Sequence, residues 1–64
     1  MTLTTMPNLN DRDEIYARII ETHQGLTDAE SQALNARLVL ILVNHIGDEA
    51  VVAEALALAR GDSG

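Results

Sequence analysis

Cysteine, tryptophan, phenylalanine and lysine are all missing from this chain, and it has one tyrosine and one proline in 64 residues. Without cysteine there are no disulfides and no thiolate metal sites. A domain this small buries only a modest share of its apolar surface. Helix packing and association are then the remaining sources of stability, because an unassisted core of this size supplies only about 3–5 kcal/mol. Basic residues are also scarce: Arg12, Arg18, Arg37 and Arg60 stand against ten carboxylates, for a net charge of −6. Nucleic-acid binding draws on clustered Lys and Arg that displace counterions from phosphates, so the expectation is no nucleic-acid partner.

Long apolar segments are absent too. The longest uninterrupted run, Leu38 to Val43, is six residues, far short of the roughly 20 that cross a bilayer. Residues 1 to 14 contain one arginine and no apolar run, unlike a secretory signal. The sequence therefore reads as soluble and cytoplasmic, with no membrane partner.

What is present is helical. Residues 1–10 form an arm, with Pro7 and scattered apolar side chains but no helical period; it reads as a frayed end, with docking of Leu3, Met6 and Leu9 as the alternative. A three-helix domain is expected over 11–60, followed by a tail at 61–64. The first helix should start near Asn10 or Asp11, where polar and acidic residues suit the cap and the helix dipole, and stop at Gly25. Ile15, Tyr16, Ile19, Ile20 and His23 share one broad face of it. Thr27 followed by Glu30 is a capping box, and Asn44 to Gly47 is a stop, which sets the second helix at about 28 to 46. Asp48 then caps a third helix, 49 to 60, rich in alanine and closed by Gly61. The fold class expected is all-α, a small three-helix bundle.

The central helix is apolar nearly all round. At 100° per residue Leu34, Leu38, Ile41 and His45 share one stripe and Ala36, Val39, Val43 and Ile46 another, with Leu42 bridging them. Only Glu30, Arg37 and Asn44, seven residues apart, form a polar strip. Such a helix is normally buried. Two short flanking helices cannot enclose five turns of it, and the surplus is a patch of the kind that marks interfaces. The expectation is a two-fold homodimer, or a larger protein partner, through helix two or a Val51 and Leu58 edge of helix three. The interface candidates are Arg37, Leu38, Ile41, Asn44, His45, Val51 and Leu58.

Catalytic chemistry has little to stand on. His23 and His45 are 22 residues apart and belong to no spacing that would put two ligands on one helix face. His45, on a leucine stripe, reads as a partly buried histidine bonded to backbone or to Asp48. Arg37 reads either as part of a solvated strip or as a group reaching across an interface. No glycine-rich phosphate loop is present, and a chain this short leaves no room for an enclosing substrate pocket. The expectation is a non-enzyme without cofactor or metal. Two other classes remain open. One is an acidic regulator imitating nucleic acid, for which the carboxylates would have to form a continuous band, whereas on helix one they alternate with arginines. The other is a small metal-dependent protein.

The segment Leu34 to Asp48, with its Asn-Ala-Arg-Leu start and its Asn-His-Ile-Gly-Asp end, resembles a family of short bacterial proteins called domain of unknown function 2783. That resemblance implies a small stand-alone protein and lends no catalytic residues. It also implies an accessory role beside a larger, flavin-dependent enzyme.

Overall fold

The computed structural model of the protein describes residues 1–61. Among them are three α-helices: α1 Arg12–His23, α2 Asp28–Ile46 and α3 Glu49–Arg60. Each begins at a side-chain cap. Asp11 accepts from the Glu14 backbone N–H at 2.9 Å and Asp48 accepts from that of Val51 at 3.1 Å. Thr27 and Glu30 form the reciprocal box, with the Thr27 N–H donating to the Glu30 carboxylate at 2.9 Å and the Glu30 N–H to the Thr27 hydroxyl at 3.2 Å. These bonds satisfy backbone donors that the first turn of a helix leaves unpaired. Gly47 ends α2 at φ +66°, a left-handed conformation in which a side chain would be strained. The two-residue connection Gly47 and Asp48 leads directly into α3.

The fold is all-α, the small three-helix bundle expected, with little closed core among the described residues. Val51, 5% exposed, is the one buried hydrophobic residue among those described. Leu34, Leu38, Val43, Val52 and Ala55 are half-buried. A compact chain of 64 residues has a radius of gyration of about 11 Å; this one has 13.5 Å. Its accessible surface is 5698 Å², against about 4,000 Å² for a compact protein of 6.9 kDa. The helices are well formed and the body is open.

Half-buried Leu3 of the arm lies with Thr5 in a cleft against Glu54, Ala57 and Leu58 of α3, and the Met1 amino group is 3.9 Å from Asp48 Oδ2. Met6 and Leu9 stay exposed. The arm thus lies against α3 at its first residues, and Leu9 lines a shallow hollow with Ile15, Tyr16 and Ile19 of α1. Of the tail expected at 61–64, residues 62–64 lie outside the described residues.

Candidate interaction surface

Helix α2 has neighbours on two flanks only. Leu34 and Leu38 line a groove with Ile15, Ile19 and His23 of α1. Val43 and Asn44 line a second one with Val52, Ala53 and Leu56 of α3. The two sides of α2 between these flanks differ in chemistry. One carries the strip Glu30, Arg37 and Asn44, all exposed. Val39, Leu42 and Ile46 sit about 140–200° round the helix from Arg37, and all three are exposed. A polar strip facing water is expected; an apolar stripe left open is the feature that needs an explanation.

The open stripe continues onto α1. His23 stands on both: its Nδ1 lies 2.7 Å from the Ile19 carbonyl oxygen and donates to it, and its Nε2 meets the Asn35 side-chain amide at 2.9 Å. On α1, Tyr16, Ile20 and His23 follow one another at the spacings of a single helix face; on α2, Asn35, Val39, Leu42 and Ile46 do the same. The bond between His23 and Asn35 links one end of each stripe, and Asp13, three residues before Tyr16, lies on the same side of α1. His23 and Asn35 lie at the edge of the open stripes, and Tyr16, Ile20, Val39, Leu42 and Ile46 carry no ionised group.

The seven interface candidates fall in different places. Ile41 (64% exposed) and Leu58 are exposed and apolar, and Arg37, Asn44 and His45 are exposed and polar. Leu38 is half-buried against α1. Val51 requires correction: it lies in the first turn of α3, its N–H held by the Asp48 cap, and at 5% exposure it is already buried within the single chain, so it offers no free edge. Ile41 and Leu40 (69% exposed) border the polar strip rather than the apolar face. The pairing suggested for His45 also changes. His45 is exposed rather than partly buried, and Asp48 instead caps α3. Periodicity put Tyr16 and Ile20 on the apolar face of the first helix but not among the interface candidates, and it did not single out Asn35. Their signal was present in the heptad spacing, but nothing in the sequence joins one helix's stripe to the other's.

The electrostatics of the surface are modest. Glu14 accepts from Arg18 Nε at 3.1 Å, one turn apart and exposed, an arrangement worth about 0.3–0.5 kcal/mol. Glu30 is held below the usual carboxylate range, first by the Thr27 backbone N–H and then by the Thr27 side chain. A hollow of about 420 Å³ runs between α2 and α3 and is lined by Val43, Asn44, Asp48, Val52 and Leu56. It is larger than the chain length led us to expect, but it is an open groove between two helices rather than an enclosure. Among the described residues no group of three or more acidic or histidine side chains is placed to hold a metal ion, and no helix is long and apolar enough to cross a membrane.

A family model described as "Protein of unknown function (DUF2783)" matches residues 3–61, and the chain belongs to that family. No curated protein and no solved structure matches it.

Proposed function

We propose that this member of the DUF2783 family is a non-enzymatic interaction protein, which completes its hydrophobic core on another protein surface. The observation that carries the reading is the contrast between strong local structure and missing burial. Three helices are capped by side chains at their starts, yet among the described residues one hydrophobic residue is buried and apolar stripes on α1 and α2 are left open. Helices of 12 and 19 residues have little stability without packing of their apolar sides. A face of Ile, Leu, Val and Tyr without ionised groups is suited to a protein surface and not to phosphate or a membrane headgroup. An accessory role beside a larger enzyme, including a flavin-dependent one, is a form of the same reading, and so is self-association. The acidic-mimic reading is weaker, because α2 has no carboxylate from Ser31 to Gly47, which breaks any continuous acidic band.

The test is the stability of the chain with nothing to bind. On this reading the isolated chain, diluted to where no association survives, loses helical circular dichroism in a broad, early transition. A sharp cooperative melt of high midpoint in a demonstrably monomeric sample would overturn it, since such a monomer needs no partner to complete its core.

A further inference from the structure

We infer that the side of α2 centred on Arg37 docks a helical segment of another protein, one that presents a carboxylate among apolar side chains. The inference rests on the interaction reading above and specifies the chemistry of the partner. Ala33, Leu40, Ile41 and Asn44 lie within about 60° of Arg37 round the helix, and all five are exposed. Leu40, at 69%, and Ile41, at 64%, are the most exposed large aliphatic side chains of α2. The chain's other helices go elsewhere: α1 takes the Leu34 and Leu38 flank and α3 the Val43 flank, with Asn44 at the border of the latter. Ala33, Arg37, Leu40 and Ile41 line neither groove.

Charge says what covers this side. Carboxylates outnumber arginines ten to four, and Arg18 has Glu14 at 3.1 Å, yet Arg37 has no ion pair among the described residues. No carboxylate lies between Ser31 and Gly47. The two that bound this stretch are engaged in caps: Glu30 accepts from the Thr27 N–H at 2.9 Å and Asp48 from the Val51 N–H at 3.1 Å. A partner that covers Leu40 and Ile41 also takes water from the guanidinium beside them. Burying that charge unpaired is costly, so the partner has to bring the opposite charge. A carboxylate meets the planar guanidinium at two points. The same side of a second copy offers an arginine and no free carboxylate. Phosphate-rich partners call for several cations together, and this side has one. An arginine among exposed aliphatic side chains has instead the composition of a protein interface. The form of the partner follows from the backbone. The peptide groups of α2 are already bonded along the helix, so no strand can add to it. About three exposed turns from Ala33 to Asn44, about 16 Å long, suit a helix laid along them.

The probe is a library of helical peptides displayed on phage, selected on the immobilised parent chain at a temperature where its circular dichroism is fully helical. The expected binders carry Asp or Glu among apolar residues spaced three and four apart. Changing that carboxylate to its amide, or Arg37→Ala, should weaken binding about tenfold or more. Arg37→Glu should restore binding to a peptide whose acidic residue is changed to Arg. Leu40→Ser should weaken the same peptides, and Leu42→Ser, about 140° round the helix from Arg37, should not. Circular dichroism checks each variant; should one lose helical signal, the amide peptide on the parent chain decides. Binders without a recurring carboxylate, or binders that Arg37→Ala leaves unchanged, overturn the inference. Loss at Leu42→Ser alone moves the contact to the Val39 stripe, which overturns this side while leaving the interaction reading in place. Self-association of the parent that Arg37→Ala abolishes puts a second copy here and also overturns it. A selection that yields no binder overturns the docking side, and the interaction reading then stands or falls on the melt of the dilute chain.

Discussion

Shortening Leu42 to alanine separates a covered face from a free one. Leu42 is 50% exposed in the single chain. Full burial of a leucine side chain contributes about 1.5–3 kcal/mol, so if the face stays open, Leu42→Ala loses only about 1 kcal/mol. If the face is closed by a partner, the same truncation leaves a cavity in a packed interior and costs about 3–5 kcal/mol per chain. Leu40 is the control. It is 69% exposed, borders the polar strip, and its loss should cost under ~1 kcal/mol in either case. Urea unfolding at one fixed protein concentration for parent and variants measures both costs. A difference of about 2 kcal/mol or more between Leu42→Ala and Leu40→Ala is expected, which moves the midpoint by about 1–2 M at the slopes usual for small domains. If the two variants agree within ~0.5 kcal/mol, the stripe of Val39, Leu42 and Ile46 is ordinary surface and the argument from it fails.

Three further outcomes follow from local structure. Thr27→Ala removes the hydroxyl that accepts from the Glu30 N–H and should cost about 1 kcal/mol, a fall of about 4–8 °C in Tm for a domain of this size; an unchanged Tm would mean that the box does not hold the start of α2. Val51→Ala removes two methyl groups from the one buried hydrophobic residue and should cost about 2 kcal/mol in thermal or urea unfolding. Glu30 has a folded-state pKa lowered by the Thr27 N–H, so its contribution to stability is complete above the ordinary glutamate range and is lost as pH falls through the lowered value. Glu30→Gln should lack that part of the acid-induced loss of helical signal, and an identical acid limb in parent and variant would contradict the assignment.

Helix positions were legible because their ends are marked chemically. Thr27 with Glu30, Asp48, Gly47 and Gly61 each bring their own hydrogen bonds or backbone conformation, and these act within a few residues. The membership of the family was legible in the same central segment, from Leu34 to Asp48. Burial was not. Periodicity shows that α2 has apolar residues on opposite sides, more than two short helices can enclose, but not which of them stay open. In the structure α1 takes the Leu34 flank and α3 the Val43 flank, and Ile41, an interface candidate, lies open at 64% exposure. Angles round one helix do not say where its neighbours lie, because that depends on the turns and on the lengths of α1 and α3. The meeting of His23 and Asn35, twelve residues apart on different helices, was beyond reach for the same reason. Val51 shows the converse, since its place on the apolar side of α3 was visible while the inward direction of that side was not.

Tyr16 is the only aromatic residue in the chain, it lies on the open face, and it is 66% exposed in the single chain. Its fluorescence therefore reports on that face without any substitution or label. Under the self-associating form of the proposed function, acrylamide quenching of Tyr16, measured across a roughly hundredfold range of protein concentration, should fall from the value of an exposed tyrosine at high dilution to that of a shielded one at high concentration. The fall should follow the same midpoint as the change in mass. Quenching that stays at the exposed value while the mass doubles would show that the chains meet elsewhere, and quenching and mass that both stay constant would contradict coverage of the face by self-association.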